Sequence, residues 1–226
     1  MSDGRDDILG GIRKALKRGP LDAAAAHALR ARLGDPQRNL LPARATVLDD
    51  AARIDLFVAM AEEVQTTVDR VASLADVPAA VARYLASENL PAELVMAPDP
   101  ALDAIPWDER PLLRLRRGKA APGDHVSVTP AFAGIAETGT LMLTSGPETP
   151  TTLNFLPDTH IVVLRADQVL PHYEEGWSRL RARGPMPRTV NFITGPSRTG
   201  DIEQRIQLGA HGPRRLHIVL VDGKTG

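Results

Sequence analysis

The sequence contains no cysteine among its 226 residues. This absence excludes a disulfide framework, a thiolate nucleophile, and zinc or iron–sulfur sites held by cysteine. The six histidines show no His-Glu-x-x-His spacing or other compact ligand pattern, so we predict no metal site. If the protein takes part in iron–sulfur chemistry, a partner protein must carry the cluster. No other cofactor is indicated by the residue pattern.

Charge of one sign and long apolar runs are also lacking. The formal net charge is −1, from 27 basic and 28 acidic residues, and the basic clusters are short. Such a balance provides no long-range field to attract nucleic acid. No stretch approaches the roughly 20 apolar residues that cross a bilayer, and residues 1–7 lack a basic and then apolar signal. We therefore expect a cytoplasmic protein that binds neither nucleic acid nor membrane.

Residues 1–46 are predicted to form a helical arm and a linker. Residues 3–18 place apolar side chains at helical spacing, with acidic residues early, basic residues late and Gly19-Pro20 at the end. Residues 22–33 are rich in alanine and predict a second short helix, and Pro42 marks the linker. Because the charges of the first helix are balanced, we expect it to pack against the body of the chain or another subunit.

From residue 47 to residue 226, segments typical of strands alternate with segments typical of helices. The predicted strands are 68–71, 93–97, 125–129, 140–144, 159–165, 188–194 and 216–222. The predicted helices begin near residues 49, 76, 171 and 199, and the last of them runs to residue 208. This alternation favours a largely parallel sheet covered on both faces. We therefore predict an α/β domain over residues 47–226, with one mostly parallel sheet and helices on both faces.

The most informative stretch is a turn that precedes the predicted strand 140–144. Glu137 is followed there by Thr138, Gly139 and Thr140. Because ligands of open α/β sheets usually bind at strand ends, Glu137 is a candidate general base, carboxylate nucleophile or substrate acceptor. Its three neighbours suit a carboxylate or phosphate oxygen and are candidate ligand-binding residues. The alternative is an ordinary turn whose glutamate accepts backbone N–H bonds or pairs with an arginine.

A second polar turn follows the predicted strand 188–194. Its ligand-binding candidates are Gly195, Ser197, Arg198, Thr199 and Asp201. A helix that opens near Thr199 or Asp201 would direct backbone N–H groups and its dipole at a bound anion, and Arg198 would add positive charge. The alternative is that Ser197 or Thr199 simply caps that helix.

His211 and Gly212 lie shortly before the last predicted strand. An imidazole at this position is a candidate catalytic acid, base or hydrogen-bond donor, and Gly212 is a candidate ligand-binding residue. The alternative is a histidine that serves as a cap or an interface residue. We expect His211 and the two polar turns to converge on one cleft at the carboxyl edge of a single sheet.

Four blocks of sequence occur in a specific order, although each block alone is weakly specific. They are Gly134-Ile-Ala-Glu-Thr-Gly-Thr-Leu-Met-Leu143, Leu156-Pro-Asp-Thr-His-Ile-Val-Val163, Gly195-Pro-Ser-Arg-Thr-Gly-Asp-Ile-Glu203 and Leu208-Gly-Ala-His-Gly-Pro-Arg-Arg-Leu-His-Ile-Val-Leu220. Together with the N-terminal segment Ile8-Leu-Gly-Gly-Ile-Arg-Lys-Ala-Leu16, this ordered set resembles the LUD domain family. One departure is Gly200, where the family more often has alanine.

The resemblance implies a fold like that of the NagB/RpiA/CoA-transferase superfamily. It also implies membership of a three-component cytoplasmic system that oxidises L-lactate to pyruvate, with iron–sulfur proteins as the other components and expected partners. This chain would handle a small carboxylate or phosphorylated ligand, or assemble the iron–sulfur partners. The alternative is a stand-alone enzyme of CoA-transferase-like or sugar-phosphate type that uses Glu137. The resemblance does not decide whether the chain performs a chemical step.

Overall fold

The computed structural model describes residues 4–35, 41–199 and 207–223. The chain divides into two units, Met1–Leu40 and Leu41–Gly226. The helices are α1 (Gly4–Ala15), α2 (Ala23–Gly34), α3 (Ala43–Thr46), α4 (Asp50–Glu63), α5 (Val77–Ser87), α6 (Thr152–Phe155) and α7 (Tyr173–Arg183). The strands are β1 (Thr67–Val71), β2 (Glu93–Met96), β3 (Arg114–Arg117), β4 (Val126–Pro130), β5 (Ala133–Ile135), β6 (Thr140–Thr144), β7 (Thr159–Arg165), β8 (Val169–Leu170), β9 (Val190–Ile193), β10 (Arg198–Thr199), β11 (Gln207–Leu208) and β12 (Arg215–Val221).

The first unit contains the two helices predicted for it. Asp22 caps α2, because its carboxylate accepts a hydrogen bond from the Ala25 N–H at 2.7 Å. No described residue of α1 or α2 is buried, and Ile8, Ile12 and Leu16 of the apolar stripe are exposed.

The second unit is built on a six-stranded sheet in the order β1-β12-β7-β4-β2-β3. Every pair of neighbouring strands in this sheet is parallel. The central strand β7 is buried on both sides: Ile161 and Val163 pack into one core, whereas Val162 and Leu164 pack into another. The prediction of a mostly parallel α/β sheet is therefore confirmed.

The two faces of this sheet are covered differently. Val77 and Val81 of α5 belong to the core on the first face. On the second face, Phe57 of α4 shares a core with Leu141 and Leu143 of β6. The second face of the parallel sheet is thus covered by a helix and by strand β6, whereas we predicted helices alone.

The prediction that all the strands share one sheet is wrong. Strands β8, β5, β6 and β9 form a separate sheet in which β6 is antiparallel to both β5 and β9. Only residues 136–139 connect β5 to β6. Such a short connection joins antiparallel neighbours, since a parallel crossover needs a dozen or more residues. The turn that carries Glu137 is therefore a hairpin turn of the second sheet.

The prediction of a helix over residues 199–208 is wrong for the first and the last residues of this range. Arg198 pairs with Leu208 and Thr199 with Gln207, so β10 and β11 are antiparallel strands. Residues 200–206 lie outside the described residues. Thr199 has a strand conformation, so no helix begins at that residue. Asp201, the other predicted start of the helix, lies outside the described residues, and the anion site stays a prediction.

Candidate functional site

Glu137 lies between β5 and β6, next to the first residue of α7. Its side chain is buried, with 6% exposure, and Oε1 accepts a hydrogen bond from the Tyr173 N–H at 3.4 Å. The N-cap residue of α7 is His172, whose side chain makes no capping hydrogen bond with the helix backbone. A carboxylate at this position satisfies one of the free N–H groups of the helix and interacts favourably with its dipole.

The main chain of Glu137 is also fixed by its neighbours. Its N–H donates to the Pro171 carbonyl at 3.1 Å, and its carbonyl accepts from the Arg44 guanidinium. These contacts agree with the interpretation of Glu137 as a turn residue that binds backbone N–H groups. The catalytic role of Glu137 stays a prediction.

We expect substitution of Glu137 to separate these two roles. Glu137→Ala leaves the Tyr173 N–H without its acceptor, so the free energy of unfolding should fall by about 1–2 kcal/mol. Glu137→Gln retains an amide oxygen as acceptor and should remain within about 0.5 kcal/mol of the parent protein. Urea denaturation at neutral pH measures both values, and equal stability of the Glu137→Ala variant and the parent protein would contradict the capping contact.

Four hydroxyl groups form a network beside this turn. The Thr138 hydroxyl is hydrogen-bonded to those of Thr140 and Tyr173, at 2.7 and 2.9 Å. The Thr140 hydroxyl also bonds to that of Tyr173 at 3.0 Å and to that of Thr194 at 2.6 Å. Because Thr194 directly precedes Gly195, this network joins the two polar turns that are far apart in sequence.

Gly139 and Gly195 serve close packing against the end of α4. Gly139 has a φ of +62°, and a Cβ built there would lie 2.2 Å from the Ala61 nitrogen. Gly195 has a φ of +76°, and its Cβ would lie 2.5 Å from the Val64 carbonyl oxygen. A side chain fits at neither position, since both have a left-handed backbone and main-chain atoms at contact distance. The sequence predicted that these glycines bind a ligand. The structure shows that both pack closely on the end of α4, and their ligand binding stays a prediction.

The second polar turn lines a cavity of about 230 Å³, which we call the motif cavity. Four of the predicted site residues line it: Gly195, Ser197, His211 and Gly212. The Ser197 hydroxyl accepts a hydrogen bond from the His211 N–H at 3.3 Å. The remaining lining residues are Asn154, Phe155, His160, Phe192, Ile193, Thr194, Pro196, Pro213 and Leu216.

His160 is the lining residue that sequence reasoning did not select. It is completely buried, and its Nε2 is hydrogen-bonded to the Thr129 hydroxyl at 2.8 Å. Its other ring nitrogen, Nδ1, is buried without a hydrogen-bond partner. Burial lowers the pKa of His160 to about 3, so the ring is uncharged at neutral pH. The available signal was a histidine inside the apolar strand 159–165 and inside one of the family-like blocks.

The other predicted residues of the second turn lie apart from the motif cavity. The Arg198 guanidinium donates to the Val64 carbonyl at 3.0 Å and is exposed, and Thr199 is buried within β10. Neither residue lines the cavity. Asp201 lies outside the described residues.

A larger cavity of about 510 Å³, the strand-end cavity, lies at the carboxyl ends of the parallel strands. It is lined by Pro130 at the end of β4, Arg165 at the end of β7 and Asp99 shortly after β2. Arg183 and Glu148 add one charge of each sign. This is the edge where ligands of open α/β sheets usually bind, but neither polar turn lies there.

The two turns do meet, as the Thr140–Thr194 hydrogen bond shows, but not at the edge that we predicted. His160 and Leu216 are the second residues of β7 and β12, so the motif cavity lies at the amino ends of these strands. The prediction of a carboxyl-edge cleft is therefore wrong. The reason is that the second turn follows β9, which belongs to the four-stranded sheet and is not a strand of the parallel sheet.

Two further properties concern the described part of the chain. Within it, no three side chains of histidine, aspartate or glutamate are grouped so that they could hold a metal ion. Among the helices in the same residues, none has the length and apolar character needed to span a bilayer.

Comparison with solved structures and curated proteins extends these findings. The structure is similar to a crystal structure of a DUF162 family protein from Deinococcus radiodurans, with a TM-score of 0.60 and 26% sequence identity. The similarity covers 77% of this chain and 99% of that one. The sequence is 28% identical to the uncharacterized protein YkgG of Escherichia coli, over 97% of this chain and 99% of that protein.

Several other relatives bear the name Lactate utilization protein C. That of Deinococcus radiodurans is 34% identical over 66% of this chain and 70% of its own length. That of Anoxybacillus flavithermus is 31% identical, but the match spans only 47% of that protein. A profile of the LUD domain matches residues 54–221, which include the six-stranded sheet, the four-stranded sheet and the motif cavity. On this evidence of sequence and fold, the chain belongs to the LUD domain family.

Proposed function

We propose that this protein is a component of a cytoplasmic system that oxidises L-lactate to pyruvate. In that system it handles a small carboxylate and works beside iron–sulfur partner proteins. The observation that carries the proposal is the LUD domain match over residues 54–221, together with relatives named Lactate utilization protein C.

The chemistry of the reaction supports a division of labour between proteins. Oxidation of L-lactate to pyruvate removes two electrons and two protons, so an electron acceptor must be present. A chain without cysteine cannot hold an iron–sulfur cluster through thiolates. We therefore assign electron transfer to the iron–sulfur partners and carboxylate binding to this chain.

The surroundings of Glu137 favour this proposal over a stand-alone CoA-transferase-like enzyme. A carboxylate nucleophile must lie at a cavity that admits its substrate, whereas the Glu137 carboxylate accepts a hydrogen bond from the Tyr173 N–H. Glu137 lines neither the motif cavity nor the strand-end cavity. Its geometry supports a structural contribution to the protein.

The proposal is tested by deleting the gene in its host and measuring growth on L-lactate as sole carbon source. We expect growth on L-lactate to be lost and growth on pyruvate, the product, to be retained. A plasmid copy should restore growth, and so should a Glu137→Gln copy if Glu137 is not a nucleophile. Normal growth of the deletion strain on L-lactate would reject the proposal.

A second measurement addresses the partners. The tagged protein, purified without oxygen from cells grown on L-lactate, should retain iron–sulfur proteins, detected by their visible absorption and by mass spectrometry. Cells grown on pyruvate provide the control for induction. Recovery of the tagged protein alone in both cultures would count against a complex.

A further inference from the structure

We infer that the motif cavity binds a short-chain monocarboxylate, and that His160 and Ser197 hydrogen-bond its polar end. This inference rests on the proposed function for the choice of L-lactate and pyruvate as ligands. The position of the site depends only on the cavity and the groups that line it.

His160 has a buried ring nitrogen without a hydrogen-bond partner. Nδ1 is buried without a hydrogen-bond partner, which is unfavourable unless a ligand or water satisfies it. Nε2 is held by the Thr129 hydroxyl at 2.8 Å, and this bond orients the ring. When that hydroxyl donates to Nε2, the proton of the uncharged imidazole is on Nδ1, which can then donate to a carboxylate oxygen.

The motif cavity contains hydrogen-bond donors without a permanently charged side chain. The described lining residues include no aspartate, glutamate, lysine or arginine. The Ser197 hydroxyl accepts a bond from the His211 N–H and still has its own proton to donate. A lining without a fixed cation is less unfavourable for an ion with a single negative charge than for a phosphate dianion, because the cost of removing an ion from water rises with its charge.

The motif cavity is small and has an apolar wall. Its volume of about 230 Å³ lies below the range of roughly 300–1,000 Å³ that is usual for drug-sized ligands. A nucleotide or an acyl-CoA is therefore too large, whereas a three-carbon acid fits. Phe192, Ile193 and Leu216 line the cavity, and they provide apolar contacts for a methyl group such as that of lactate or pyruvate.

Isothermal titration of the full-length protein with sodium L-lactate, sodium pyruvate and inorganic phosphate tests the inference. We expect one of the two acids to bind at least about tenfold more tightly than phosphate. His160→Gln places its amide near Nε2 and loses the polar atom at Nδ1. This substitution should therefore lower the affinity of the protein for the acid by about tenfold or more. His160→Asn places its amide near Nδ1 and should bind more tightly than His160→Gln.

Two further measurements keep the inference falsifiable if His160 variants fold poorly. In the parent protein, the ¹⁵N resonance of the His160 imidazole should shift when the acid is added, while that of His217 should not. The control variant is Arg183→Gln, which removes a cation from the strand-end cavity. If Arg183→Gln lowers the affinity for the acid and His160→Gln does not, the acid binds in the strand-end cavity and the inference is wrong.

The outcomes also separate this inference from the proposed function. If neither acid binds while the deletion strain fails to grow on L-lactate, the site assignment is overturned and the function stands. If an acid binds through His160 while the deletion strain grows normally on L-lactate, the site stands and the function is rejected.

Discussion

Gly139→Ala should lower the free energy of unfolding by about 3 kcal/mol or more. This loss is larger than those expected for Glu137→Ala and Gly212→Ala. An alanine Cβ at this position would lie 2.2 Å from the Ala61 nitrogen and 2.6 Å from the Ala61 Cα. These atoms belong to the backbone of α4, so relief requires movement of a whole helix and not of one side chain. The left-handed φ of +62° adds roughly 1–2 kcal/mol for a residue with a side chain.

The matched control is Gly212→Ala, at a glycine that lies shortly before β12 and lines the motif cavity. Its Cβ would meet Ser197 and Phe155 at 3.5 and 3.7 Å, which are ordinary contacts. We expect the Gly212→Ala variant to remain within about 1 kcal/mol of the parent protein in urea denaturation. If Gly139→Ala is tolerated equally well, the close packing of the hairpin turn on α4 is wrong.

The protein should lose about 4 kcal/mol of stability when the pH falls from 8 to 5, because two buried histidines resist protonation. Burial lowers the pKa of His160 to about 3 and that of His217 to about 4. Histidines in the unfolded state have a pKa near 6.5. Below this pH the unfolded state therefore binds two protons that the native state does not bind. The effect is negligible above about pH 7.5 and grows as the pH falls, until it reaches the native pKa values.

His217 owes its low pKa mainly to burial between two elements. Its ring stacks on that of Tyr84 at 3.8 Å between centroids, and Nδ1 is hydrogen-bonded to the Thr67 hydroxyl at 2.8 Å. His160 lies in the neighbouring strand β7, where burial alone lowers its pKa. The two sites should therefore contribute about equally, at roughly 1.4 kcal/mol per pH unit each.

Urea denaturation at half-unit steps between pH 8 and pH 5 measures this dependence. Replacing either histidine by asparagine should halve the slope between pH 6 and pH 5, and replacing both should remove most of it. The slope is the informative quantity, since each variant also changes the stability at pH 8. An unchanged slope in both single variants would show that other groups cause the loss of stability in acid.

Sequence reasoning identified the local structure well where the pattern is local. The run Thr159–Arg165 is apolar and rich in β-branched residues, and it forms the central strand β7. Pro78 and the polar residues before it marked the start of α5, which begins at Val77. The failure at residues 199–208 has a physical cause, because a two-residue strand pair is decided by its partner and not by periodicity.

The polar turns show what a pattern of residues cannot specify. The Glu-Thr-Gly-Thr block pointed to a turn, and the turn is present at residues 136–139. Whether Gly139 contacts a ligand or a helix depends on α4, which lies far away in the sequence. The same is true of Glu137, whose partner is the first N–H of α7.

By itself, the sequence determined the absence of thiolate chemistry, the alternation of helices and strands, and the ordered blocks that identify the family. Each of these follows from composition or from the order of residues along the chain. Only the tertiary structure decided that the described strands divide among three sheets, that the turns meet through Thr140 and Thr194, and that His160 lines the same cavity as Ser197. These features depend on contacts between distant segments, and the energy of such contacts comes from packing that no local pattern encodes.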